Sequence, residues 1–197
     1  PKPACGRVAR RVPVQNSAVN TESSVVTFLF TDIDGSTRRW EQDPEGMRLA
    51  LAQHDALARA AVEACHGAVV KMTGDGMCAV FQDPRGAIDA TLAFLRGLAA
   101  LGGDAALELK ARCGIHVGAA QRRDNDYFGT TLNRAARIMS AAHGGQVLLS
   151  QAVVDLVRGK LPDAVSLRDL GLVRLRDLAN PERLYQVLHP ALRREFP

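Results

Sequence analysis

Aromatic residues are scarce in this 197-residue chain, at 5% of the total, which argues against a stacking platform for single-stranded nucleic acid. No specific nucleic-acid partner is therefore expected. No apolar run approaches the roughly 18 residues that a spanning helix needs, so no membrane span is expected. The four cysteines, Cys5, Cys65, Cys78 and Cys113, are widely and irregularly spaced with no Cys-x-x-Cys pair. That excludes the usual zinc and disulfide frameworks and points to reduced, mostly buried thiols in a cytoplasmic protein. There is no signal-peptide pattern, no internal repeat, and no Gly-x₄-Gly-Lys-Ser/Thr loop of a P-loop NTPase. An initiating Met is missing too, as expected of a piece of something longer.

What is present is ordinary for a globular domain. Hydrophobic residues make up 47% and charged residues 23%, and the length suits one domain with a sizeable core and a tail. The net charge of +4 is unevenly placed: Lys2, Arg7, Arg10 and Arg11 have no acid among the first twelve residues. Residues 1–22 lack hydrophobic periodicity and read as a linker or tail, residues 23–189 as the folded domain, and 190–197 as a C-terminal tail.

The domain begins with Val25 to Phe30, β-branched and aromatic on both faces, hence a buried central strand. Asp43-Pro44 caps a helix that runs to Gly67. Ala68–Met72 and Met77–Phe81 read as strands joined by a tight turn, Thr73-Gly74-Asp75-Gly76. Asp83-Pro84 opens a second helix with Ile88, Leu92, Leu95 and Ala99 as its stripe. A strand from Leu107 to Val117, a polar stretch from Gln121 to Asp126, and a helix from Thr131 to Ala142 follow. A short strand (Val147–Leu149), a helix (Gln151–Arg158) and strands near Leu172 and Leu184 complete the order. The β-α-β-β-α-β core with an appended α/β unit predicts a ferredoxin-like α+β sandwich, helices mainly on one side of the sheet.

Two clusters carry chemistry. Asp32 ends the most buried strand and Asp75 tips the Gly-Asp-Gly hairpin, so pairing of hairpin and strand would bring both carboxylates to one sheet edge. Hard divalent cations take such carboxylates and complete their shell with water and phosphate, and glycines let phosphate approach the backbone. Singly, each acid is equally well a turn residue. Asn133 and Arg137 lie four apart on one helix face, where an amide and a guanidinium suit a phosphoryl centre; a solvated polar face is the bland alternative. His116 reads as a satisfied core histidine. His54 and His66 lack a partner at metal spacing, and Trp40 is expected to pack under the first helix.

Four stretches together resemble the catalytic domain of class III adenylate/guanylate cyclases, over about residues 23–189. They are Phe30 through Thr37, Lys71 through Gly76, Gly114-Ile115-His116-Val117-Gly118, and Asp126 through Arg137. The resemblance implies that Asp32 and Asp75, with the Ile33 carbonyl, hold two Mg²⁺ or Mn²⁺ ions. It implies that Lys71 and Asp126 read adenine, whose amino group donates where guanine accepts. Asn133 would orient the ribose, and Arg137 would neutralise the α-phosphate. Arg176 stands where the family commonly has a phosphate-binding Lys; Arg122 and Arg123 are further phosphate candidates, and Asp34 is structural or supports the metal ligands. The substrate implied is ATP, the product cyclic AMP. The assembly implied is a two-fold homodimer with shared active sites, joined to a regulatory domain on its N-terminal side. A catalytically weak nucleotide-binding regulatory domain of the same fold is the alternative. A diguanylate cyclase is disfavoured because the hairpin reads Thr73-Gly74-Asp75-Gly76-Met77.

Overall fold

The computed structural model describes residues 22–101, 108–124 and 126–197. In chain order its elements are β1 (Glu22–Ile33), α1 (Ser36–Gln42), α2 (Pro44–Ala64), β2 (Ala68–Met72), β3 (Gly76–Phe81), α3 (Pro84–Leu101), β4 (Ala111–Arg123), β5 (Asp126–Phe128), α4 (Thr130–Ser140), β6 (Val147–Ser150), α5 (Gln151–Val157), β7 (Ser166–Val173) and β8 (Glu182–Leu188). They build one mixed sheet in the order β2-β3-β1-β4-β6-β8-β7, with β5 paired to β4. The first four strands are all antiparallel, and β6 joins β4 in parallel. This is the expected α+β sandwich with its appended unit.

β1 is central because both of its faces are apolar. Alternate residues point to opposite sides, and the core divides accordingly. Leu29 joins Met77, Ala79, Phe81, Cys113 and Ile115 under α2, α3 and α5. Val26 and Phe28 join Cys78, Val80 and Ala120 under Ala135 of α4. Three helices thus cover one face, and among the described residues α4 alone crosses the other.

The glycines of β4 allow that crossing. A Cβ on Gly114 would lie 2.3 Å from the Met139 backbone nitrogen, and one on Gly118 would lie 2.9 Å from Thr131 Oγ1. Thr131 donates to the Ala119 carbonyl, tying the start of α4 to the same strand. Between these glycines His116 is buried, with Nδ1 2.8 Å from Ser150 Oγ. Burial, with Arg134 adding, pushes its pKa down to about 4; it is a neutral core histidine.

Several boundaries differ from expectation. The fourth strand continues past Val117 to Arg123, because β1 pairs with it as far as Glu22↔Arg122, and the polar stretch turns back as β5. Leu107, where that strand was expected to begin, lies outside the described residues, as do residues 1–21. α1 was not anticipated: Asp43 ends α1 and caps α2 through the Gly46 amide, so the two helices read as one signal. Trp40 sits on α1 and keeps 37% of its surface exposed. His54, on α2 as expected, is fully buried and edge-on to Phe94. Cys78 and Cys113 are free and buried, Cys65 is half-buried, and Cys5 lies outside the described residues. Burial pushes the Cys78 thiol up to about 12. Residues 190–197 lie against the domain, Glu195 accepting from Arg168 at 2.7 Å and Phe196 stacking on His143. No helix among the described residues is long and apolar enough to cross a membrane.

Gly114→Ala should displace α4, since backbone atoms and not a flexible side chain stand in the way. A loss of roughly 1–3 kcal/mol is expected for such overpacking, read as a lower urea midpoint; an unchanged midpoint would contradict the close crossing.

Candidate functional site

The β1–β3 register sets the site. Asp32 stands opposite Gly76, one residue beyond Asp75. Each glycine of Gly74-Asp75-Gly76 has a separate reason. Gly74 has φ +89°, which L-residues seldom adopt. A Cβ on Gly76 would lie 2.1 Å from the Thr31 carbonyl oxygen, so only glycine lets the hairpin close on β1. The closure is fastened by the Ile33 N–H donating to the Asp75 carbonyl at 3.0 Å and the Met77 N–H donating to Thr31 Oγ1 at 3.1 Å.

The two carboxylates therefore meet. Burial raises the pKa of Asp32; Arg112 opposes that rise, and the nearby Asp75 carboxylate adds to it. Arg112, directly across β4 from Asp32, donates from Nε at 2.8 Å. Ser36, in the first turn of α1, donates to Asp75. Among the described residues no group of three or more His, Cys, Asp or Glu side chains could hold a metal; Asp32 and Asp75 stand as a pair of carboxylates. Arg112 and Ser36 were not singled out from the sequence. Ser36 lies inside a quoted motif, but Arg112 meets Asp32 only through strand pairing across 80 positions. Asp34 lies apart: its N–H bonds to the Lys110 carbonyl, and its carboxylate rests near Gly144.

Lys71 and Asp126 also come together, with Nζ 3.6 Å from Oδ2. Lys71 pairs with Cys78, which pairs with Phe30, so Lys71 and Asp32 share the α4 face of the sheet. Beside Lys71 and Asp126 is a cavity of about 430 Å³, which Arg123 and Phe128 also line. Arg122 does not line it; its Nε donates to the Asp124 carbonyl at 3.2 Å.

Asn133 and Arg137 are held on α4 at a different azimuth. The helix rests on Thr131, Ala135 and Ile138. Its flank at Leu132 packs towards Phe28 and Cys78 of β1 and β3. Its other flank carries Arg134, 3.3 Å from Glu182 of β8, and Arg137, 2.8 Å from Asp177 in the β7–β8 loop. Asn133 is exposed between them and the solvent. At about 100° per residue, Arg137 leans away from the acid pair of its own chain. Arg176 is 86% exposed, with Nε 3.7 Å from Asp177. The structure thus gathers one group around Asp32 and Asp75, a second at Lys71 and Asp126, and a third around Asp177.

Residues 18–187 match the adenylate and guanylate cyclase catalytic domain family. The chain belongs to that family. It is 37% identical over 195 residues to an uncharacterized protein of Mycobacterium tuberculosis strain H37Rv, covering 95% of this chain and 66% of the relative. It is 31% identical over 214 residues to a receptor-type adenylate cyclase of Trypanosoma equiperdum, covering 87% of this chain and 46% of that one. The chain thus spans two thirds or less of these relatives' own length. Among solved structures it superposes on an adenylate cyclase from Trypanosoma brucei in its monomeric state, with a TM-score of 0.72 and 28% identity over 83% of this chain and 89% of the other. The adenylyl cyclase CyaB from P. aeruginosa shares the fold, with a TM-score of 0.77 at 23% identity over 90% and 99% of the two chains. This cyclase domain therefore has the nucleotide cyclase fold.

Asp75→Asn removes the like charge beside Asp32, so the Asp32 carboxyl should titrate at lower pH than in the wild type. Carboxyl ¹³C NMR reads this directly; an unchanged or higher value would contradict the contact.

Proposed function

We propose that this domain converts ATP to 3′,5′-cyclic AMP and pyrophosphate at sites shared between two copies of the chain. The observation that supports it best is the convergence of Asp32 and Asp75 at one end of β1 while Arg137 of the same chain leans the other way. One chain holds both halves of a site, and a two-fold dimer would join each half to its complement.

The donor set fits Mg²⁺ or Mn²⁺: two carboxylates and the Ile33 carbonyl are hard oxygen ligands, and Asp32, whose pKa is raised chiefly by burial and further by the neighbouring Asp75 carboxylate, would be held ionised by a bound cation. Two such ions, when bound, would supply Lewis-acid charge to the triphosphate and acidify the ribose 3′-hydroxyl. The chain's own residues do the rest. Asn133 orients the ribose so that its 3′-oxygen lines up with the α-phosphorus. Arg137 neutralises charge that builds on the α-phosphate as pyrophosphate leaves, and Arg176 reaches the phosphates from the β7–β8 loop. Lys71 donates to a ring nitrogen of adenine and Asp126 accepts from its amino group; guanine would set an acceptor against that carboxylate. Positioning and charge dominate such a transfer, so no protein base is required. The link to an upstream regulatory domain accords with the chain spanning only part of its relatives.

Purified protein with Mn²⁺ and either ATP or GTP tests the reading. Cyclic AMP should form from ATP, and Asp32→Ala should lower the rate at least about 100-fold. Lys71→Glu should erode the preference for ATP. Mixing Asp32→Ala with Asn133→Ala chains, each inactive alone, should restore activity through heterodimers with one intact site. Nucleotide binding without product would favour the regulatory-domain alternative, and failure of the mixture would contradict shared sites.

A further inference from the structure

Beyond the readers of the base edge, β5 presents a group that could hold the face of the base. β5 alternates like any strand. Tyr127 turns inward, its ring 5.5 Å from Phe28 and edge-on at 83°. Asp126 and Phe128 therefore share the opposite side of the strand, and both line the cavity beside Lys71. Its volume of about 430 Å³ falls within the roughly 300–1,000 Å³ of small-molecule sites.

Phe128 is a large aromatic left 45% exposed. Across the hairpin Phe128 pairs with Gln121 and Asp126 with Arg123, so Arg123 is a diagonal neighbour of the ring, and its guanidinium lies 5.4 Å from the ring centroid. Arg123 thereby braces the ring from one side while both border the same space. The Lys71–Asp126 pair can fix a base only within its plane, through its hydrogen-bonding edge. A flat heterocycle also needs a surface for its π-face, and an aromatic ring backed by a guanidinium provides one.

We propose that Phe128, braced by Arg123, is the stacking wall for the purine ring of the nucleotide. This rests on Lys71 and Asp126 acting as the base-edge readers. It separates two tasks: Phe128 contributes affinity for any purine, whereas Lys71 and Asp126 decide which purine. It also gives Arg123 a role at the base and not at the phosphates. Gly129, with φ +133°, follows Phe128 at once and leads into α4, so the ring is joined by a short path to Asn133.

Calorimetric titration of the full chain with 3′-deoxy-ATP and 3′-deoxy-GTP, which lack the attacking hydroxyl, tests this without turnover. Phe128→Ala should weaken binding of both nucleotides by about tenfold, leaving their ratio unchanged, and Phe128→Trp should keep wild-type affinity. Sedimentation at the same concentrations should show the same assembly for wild type and variants. In turnover, Phe128→Ala should raise KM for ATP far more than it lowers kcat. Equal affinity of Phe128→Ala and wild type would overturn the proposal, and so would a loss accompanied by dissociation of the assembly, since the ring would then be an interface residue. If Lys71→Ala leaves the ratio of the two nucleotides unchanged while Phe128→Ala weakens both, the edge readers are misassigned and the stacking wall stands.

Discussion

Two carboxylates of like charge brought together at the end of a buried strand set the terms for everything else in this domain. Such a pair is unfavourable alone: burial raises the proton affinity of Asp32, and the Asp75 carboxylate adds to the rise. The chain tolerates it because strand register leaves no choice. Asp32 follows a run whose side chains are buried on both faces, and Gly76 lets the hairpin come against Thr31 so closely that no other residue would fit. Arg112 and Ser36 partly compensate the charge. The hydrophobic core thus positions a polar pair that would otherwise separate.

The same sheet face explains the division of the remaining groups. α4 can lie close to β4 only where Gly114 and Gly118 leave room. Once there, its apolar stripe fixes the azimuth of every other residue on it. Arg137 is thereby directed to the flank facing β8, where Asp177 receives it. The Arg137 guanidinium and the Asp32–Asp75 acid pair are kept on separate flanks of one helix. That separation prevents them from neutralising each other within a chain, and it suits a site assembled from two copies.

Much of this was legible in the sequence, for local reasons. The buried character of Val25–Phe30, the Asp-Pro caps at Asp43 and Asp83, and the Gly-Asp-Gly turn are written in neighbouring residues. Asp32 and Asp75 could be paired on paper because a short hairpin beside a central strand has few places to go. The short elements were harder. α1 has seven residues and hands directly to α2 through Asp43, so its periodicity merges with the next helix. β5 has three residues, too few to show a strand period after the polar stretch that precedes it. Arg112 illustrates a deeper limit: its partner lies 80 positions away, and nothing within its own strand announces the meeting. Arg123 is similar, since its place over Phe128 follows from a hairpin that the composition of Gln121–Asp126 conceals.

The central claim is that the acid pair exists to hold divalent cations under a nucleotide. Electron paramagnetic resonance titration of Mn²⁺ into the full chain with 3′-deoxy-ATP addresses it most directly. The account predicts two magnetically coupled Mn²⁺ ions per nucleotide, with the coupling abolished in Asp75→Asn. An unaltered Mn²⁺ signal in Asp75→Asn would contradict it.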